Sequence, residues 1–114
     1  MHELSIAVSI VEAVEEELAR HGAARAQAVT VRVGALSGVV PDALEFAWGP
    51  ATAATRLEGA TLRIQLQEVV AFCPVCAAER TLLSVEMLRC PVCSAPLTNL
   101  LRGRELQILA IELP

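Results

Sequence analysis

Aromatic residues are scarce in this 114-residue chain: tyrosine is absent, and Phe46, Trp48 and Phe72 make up the whole 3% aromatic share. Stacking platforms for nucleic-acid bases are therefore few, and aliphatic side chains must supply nearly all of the core. Charge is also sparse. Charged residues reach only 19% against about 25% in ordinary globular chains, while hydrophobic residues reach 54%, which excludes a disordered tail or acidic linker. The balance of 9 basic to 13 acidic residues gives a net charge of −4 at pH 7, so nucleic acid finds no broad basic surface. No apolar run approaches the ~18 residues of a membrane span, and membrane insertion is not expected. The start of the chain has neither a basic leader nor a small-residue cleavage signal, so the expected location is cytoplasmic. This length is too short for a large multidomain enzyme.

Hydrophobic periodicity supplies the elements. Leu4, Ala7, Val8, Val11, Val14 and Leu18 recur at three and four, with Ser5, Ser9, Glu12 and Glu16 opposite, which predicts an amphipathic helix from Glu3 to about Arg20. Gly22 just beyond it is a helix stop. Val29, Val31 and Val33 alternate with Thr30, Arg32 and Gly34, giving strand period. Pro41 and Asp42 suit the start of a second helix carrying Leu44 and Trp48 on one face, and Gly49-Pro50 is expected to break or kink it. Leu62, Ile64 and Leu66 mark a second strand. Leu106, Ile108 and Ala110 begin a third, whose pattern blurs afterwards because the strand is either buried on both sides or bulged. The expected fold class is α/β: a three-stranded sheet with two helices, plus an inserted zinc-ribbon-like lobe. Residues 1–70 and 99–114 form the α/β domain, and residues 71–98 form the lobe between the second and third strands.

All four cysteines fall in that insertion. Cys73 and Cys76 form one C-x-x-C pair and Cys90 and Cys93 another, with 13 residues between them. Two tight turns can each present two sulfurs, and closing the pairs together gives four thiolates in the tetrahedral arrangement that zinc prefers. In a reducing compartment metal ligation is favoured over disulfide bonding. Iron in the same cage and a thiol redox pair are the alternatives. The lobe needs a cross-link, since its sizeable apolar groups are few: Val75, Leu82, Leu83, Val85, Met87 and Leu88. A filled tetrathiolate site leaves no open position for water and is structural. Such turns want positive φ just after the second cysteine, where glycine costs least, yet Ala77 and Ser94 stand there.

Only His2 and His21 could add imidazole, and neither completes a conventional two-histidine zinc motif. His21 follows the helix stop and reads as a surface or capping residue. At the chain start, the Met1 amine, the His2 backbone nitrogen and the His2 imidazole can close adjacent five- and six-membered chelate rings on one metal. Amide ligation requires loss of a proton, and its strong in-plane field favours nickel or copper over zinc. Glu3 could add a fourth contact or orient the imidazole. The competing reading is a solvent-facing His2 at a helix start.

Met1-His2-Glu3, the segment VRVGALSGVVPDALEFAW (31–48), LEGATLRI (57–64), the four cysteines and GRELQI (103–108) together resemble the HypA family of hydrogenase maturation proteins. The resemblance spans essentially the whole chain and keeps the order of its parts. It implies a nickel metallochaperone, not an enzyme, with nickel as transferred cargo and zinc as a structural ion. It further implies that His2 is the principal nickel ligand, that Met1 and Glu3 share its environment, and that Cys73, Cys76, Cys90 and Cys93 hold zinc. The implied partners are a HypB-like GTPase and the large subunit of nickel-iron hydrogenase; a monomer or weak homodimer is expected. The rival reading is a zinc-ribbon adaptor for protein or nucleic acid, which would use Arg80, Arg89, Arg102 and Arg104 near the lobe.

Overall fold

The computed structural model describes residues 2–82 and 85–114; Met1, Leu83 and Ser84, all named in the expectations above or flanked by them, lie outside the described residues. The chain runs α1 (His2–Arg20), β1 (Ala28–Gly34), α2 (Pro41–Thr52), β2 (Thr61–Gln67), β3 (Val70–Cys73), β4 (Ala78–Thr81), β5 (Asn99–Arg102) and β6 (Leu106–Glu112). These strands make two three-stranded sheets, ordered β2-β1-β6 and β4-β3-β5. In the first, β1 is central, parallel to β2 and antiparallel to β6. α2 is the crossover that parallel pairing demands. Both helices and the inward valines of β1 share one core, which includes Ala7, Val11, Val14, Leu18, Val29, Val31, Leu44 and Trp48.

α1 ends as its sequence dictates. Gly22 takes φ +65°, the Gly22 N–H donates to Ala19 O at 3.2 Å and the Ala23 N–H to Leu18 O at 2.8 Å, so two otherwise orphaned carbonyls are satisfied. Two expected core residues of α1 are displaced, however. Leu4 and Val8 are partly exposed and Ile10 is buried instead, because the core covers the Ala7, Ile10, Val14 stripe and leaves the neighbouring stripe at the rim.

Gly49-Pro50 does not break α2, which continues to Thr52. Proline removes one N–H, but only the final turn follows it, and the Thr52 hydroxyl donates to Trp48 O at 2.9 Å there. Trp48 is core, as its i, i+4 relation to Leu44 predicts, and its indole N–H donates to Ala60 O at 2.9 Å. The blurred pattern of the last strand is a bulge: Thr30 faces Ala110 and Val31 faces Ile108, so Leu109 is the extra residue. The alternative of burial on both sides is ruled out by the exposure of Leu106, Ile108 and Leu109.

The cysteine segment is more regular than a loop. β3 pairs antiparallel with β4 and β5, over a small core of Val69, Ala71, Leu82 and Leu97 with the sulfurs of Cys73 and Cys90. Asn99–Arg102, expected with the α/β domain, belongs to this second sheet, since long-range pairing with β3 overrides its position in the sequence. The chain returns to the first sheet through Gly103-Arg104-Glu105. There the backbones nearly touch: a Cβ on Gly34 would fall on the carbonyl of Gly103, so only glycine fits. Hydrogen bonds from Leu36 N–H to Gly103 O at 2.6 Å and from Gly34 N–H to Glu105 O at 2.8 Å close the junction.

Candidate metal centres

Cys73 ends β3, Cys76 lies in the turn to β4, and Cys90 and Cys93 flank the turn between Arg89 and Pro96, which bridge to each other. That topology brings all four sulfurs within 4.8 Å of one another. Cys73 Sγ stands 3.5 Å from Cys93 Sγ, and Cys76 Sγ stands 3.9 Å from Cys90 Sγ. A tetrahedron with metal–sulfur bonds of about 2.3 Å has sulfur–sulfur edges of about 3.8 Å, so the cluster has the size of a tetrathiolate centre. These spacings are well beyond a disulfide bond, and all four cysteines are free.

Backbone amides stabilise the sulfurs as anions. The Cys76 N–H points at Cys73 Sγ, 3.4 Å away. Burial pushes the Cys90 thiol up, but the N–H groups of Cys93 and Val92 and the neighbouring sulfurs outweigh it and bring the group down to about 6. At Cys93 the Ala95 N–H favours the thiolate, whereas burial and the three surrounding sulfurs push the group up to about 12. Like charges at this spacing repel, so one thiol ionises easily and the last resists; a divalent cation removes that conflict. Ala77 and Ser94 both adopt the left-handed conformation, φ 53° and 64°, as the turn geometry requires. Each costs about 1–2 kcal/mol relative to glycine's freedom there.

Of the arginines that suggested an adaptor surface, three are engaged inside the lobe. Arg102 pairs with Glu79 at 2.6 Å, Arg89 donates to Ser94 O at 3.1 Å, and Arg80 Nη1 donates to Glu79 O at 3.5 Å. Sequence reasoning missed that the Arg80 Nε is buried, on the face of β4 that Cys73 shares, a placement visible only once the pairing of β3 with β4 is known.

His2 and Glu3 open α1, apart from the sulfur cluster. The His2 side chain is 64% exposed, and its Nδ1 lies 3.6 Å from Glu3 Oε2. That carboxylate also accepts a hydrogen bond from Val40 N–H at 3.2 Å, across to the start of α2. The Val40 N–H, its own backbone N–H and His2 hold Glu3 below the usual carboxylate value. The first four N–H groups of a helix have no intrahelical acceptor, so the His2 amide can act as a ligand without breaking a helical hydrogen bond. Met1 lies outside the described residues, and His21 is exposed beside Glu17, 3.5 Å from its carboxylate.

A family model described as hydrogenase/urease nickel incorporation, metallochaperone, HypA matches residues 1–113. A hydrogenase maturation factor HypA of Chloroflexus aurantiacus is 47% identical over 114 residues, covering 100% of both chains. Another, from a Roseiflexus species, is 46% identical over 112 residues, covering 98% of this chain and 91% of its own. Among solved structures, the nickel metallochaperone HypA of Helicobacter pylori superposes with a TM-score of 0.67 at 20% identity, covering 97% of this chain and 96% of its own. A second HypA solution structure gives a TM-score of 0.71 at 22% identity, covering 100% and 97%.

Proposed function

This chain belongs to the HypA family, and from that premise we propose how its residues divide the work of a nickel metallochaperone. It functions in nickel delivery for hydrogenase maturation; the family is one of metallochaperones and not of enzymes. Its cargo ion is nickel, taken at the start of α1. The His2 imidazole is the principal ligand, joined by the His2 amide and the Met1 amine, with Glu3 fixing the imidazole from beside it. Four in-plane positions suit nickel better than zinc when a deprotonated amide is among them. With three nitrogens from the chain, one position stays open to an incoming ligand, so the ion can leave by exchange.

The observation that carries this reading is the exposed His2 at the first turn of α1, its neighbouring carboxylate pinned by Val40, in a chain matched by the family over residues 1–113. Cys73, Cys76, Cys90 and Cys93 would hold zinc, whose contribution when bound is to cross-link a zinc-ribbon-like lobe and neutralise its thiolates. A HypB-like GTPase and the hydrogenase large subunit are the proposed partners, meeting the protein as a monomer or weak homodimer in the cytoplasm. Among the described residues no helix is long and apolar enough to cross a membrane.

Nickel titration of the untagged protein, followed by optical and X-ray absorption, tests the division. His2→Ala is expected to lose tight nickel binding, by about 100-fold or more for a principal ligand, with zinc content unchanged. An N-terminal extension should mimic that loss by removing the free amine. Nickel bound only by sulfur in the native protein, with His2 free, would overturn the assignment.

A further inference from the structure

β6 is an outer strand of the first sheet: β1 pairs with one side of it, and among the described residues no strand pairs with the other. Its sequence holds no proline and no basic residue, the usual devices that keep a free edge from pairing. The Gly34 N–H donates to Glu105 O and Arg32 stands opposite Gln107, so Glu105 and Gln107 turn their backbone groups to β1. By the alternation of an antiparallel pair, Leu106 and Ile108 turn theirs to the open side. Their side chains stand opposite Val33 and Val31, on the face that the helices cover, yet they are 41% and 38% exposed. α1 leaves a groove beside them. It runs along most of the helix in two halves that share Ile108, with volumes of about 400 and 640 Å³. The wall of the first half is Ser5, Ser9 and Ile10, small or apolar, against Leu106 and Ile108. That of the second is Ala13, Glu16 and Glu17, against Leu109, Ile111 and Leu113. Glu17 is shared by Arg20 at 2.7 Å and His21 at 3.5 Å, whereas Glu16 is exposed and has no basic partner among the described residues.

We propose that this groove and the free edge of β6 take an extended segment of a protein partner as a fourth strand of the first sheet, with apolar side chains beside Ser5 and Ser9 and a basic one beside Glu16. An added strand pairs with the outward backbone groups of Leu106 and Ile108, and every second side chain enters the groove. The bulge at Leu109 keeps the regular edge short, which suits one short segment and opposes the stacking of copies. Charge selects the occupant. β6 of a second copy would bring no basic residue to Glu16 and would set one bulge against another, whereas a segment with lysine or arginine at that position answers the unpaired carboxylate. The groove starts at Ser5, within one turn of His2, so a strand seated there lies along the helix that opens with His2.

The test titrates the full chain with a blocked peptide, Thr-Val-Thr-Val-Thr-Arg-Thr, with its reverse, and with both after glutamate replaces arginine, followed by amide shifts and hydrogen exchange. At least one arginine peptide should bind saturably, shift the amides of residues 5–17 and 106–113, and slow exchange of the Leu106 and Ile108 amides about tenfold or more. Its glutamate counterpart should bind about threefold more weakly. Ile108→Lys, which blunts the edge, should weaken binding about tenfold, and Glu16→Lys about threefold. Phe46→Ser, which removes an exposed apolar group from α2, should match native. Absence of saturable binding by either arginine peptide, shifts confined to other surfaces, or equal affinity in native protein and Glu16→Lys would each overturn the proposal. Self-association of the protein alone that protects the Leu106 and Ile108 amides would overturn it too, by making a second copy the occupant. Should Ile108→Lys fail to fold, Glu16→Lys, at an exposed helix position, decides by the same readout.

Discussion

Glu3 joins the start of α1 to the start of α2 through one carboxylate, which accepts from Val40 N–H at 3.2 Å and stands 3.6 Å from His2 Nδ1. Because the Val40 N–H stabilises the ionised form, the folded value lies below the ordinary 4.5. The sign follows from linkage: a depressed carboxylate adds stability that is fully present above 4.5 and lost as pH falls through the lower folded value. Glu3→Gln can still accept from Val40 but no longer titrates. Melting temperature followed from pH 7 downward should therefore fall less steeply below 4.5 in Glu3→Gln than in native protein, and identical slopes would show that the contact contributes nothing. The sequence places Glu3 beside His2, but its tie to Val40 spans 37 positions and leaves no local pattern. Trp48 is the opposite case: spacing alone assigns it to the core, since a helix face needs no knowledge of tertiary pairing.

At the scale of elements, local rules succeed where one period governs and fail where long-range pairing decides. β1 follows its apolar spacing throughout, α1 does so apart from Leu4 and Val8, β2 does so at Leu62 and Ile64 but not at the exposed Leu66, and the bulge of β6 is the reason its parity changes at Leu109. α2 outlasts Gly49-Pro50 because proline so near a helix end forfeits little. β3, β4 and β5 were hidden, being 4 residues each and defined by mutual pairing more than by alternation. The two cysteine turns were legible even in their strain, with Ala77 and Ser94 in the left-handed region that glycine occupies freely. Glycine there relieves about 1–2 kcal/mol of strain but enlarges the unfolded ensemble by about 0.4–1 kcal/mol. Ala77→Gly and Ser94→Gly should each stabilise the second sheet by up to about 1.6 kcal/mol, read by hydrogen exchange of the β3 and β5 amides. A loss of protection would mean that the side chains contribute packing which outweighs the backbone strain.

The whole molecule holds two cores of unequal strength. The first draws on both helices and a mixed sheet, whereas Val69, Leu82 and Leu97 are the large buried aliphatic groups of the second. Each of those three contributes about 1.5–3 kcal/mol, while a structural zinc held by the four sulfurs would add on the order of 10 kcal/mol, so on the proposed zinc reading the metal would decide whether the second sheet persists. Chelation at neutral pH should melt β3, β4 and β5 without unfolding the first core. Trp48 is the chain's one tryptophan and lies wholly in the first core, its indole N–H bonded to Ala60 O at 2.9 Å, so its fluorescence is an internal control. The expected result is collapse of the amide dispersion of residues 70–102 with the Trp48 emission unmoved. The point of strain is the junction, where Leu36 N–H holds Gly103 O and β6 must stay paired to β1 after its upstream neighbour is lost. If Trp48 shifts together with the cysteine sheet, that junction transmits unfolding, and the sulfur centre stabilises the first core as well as its own lobe.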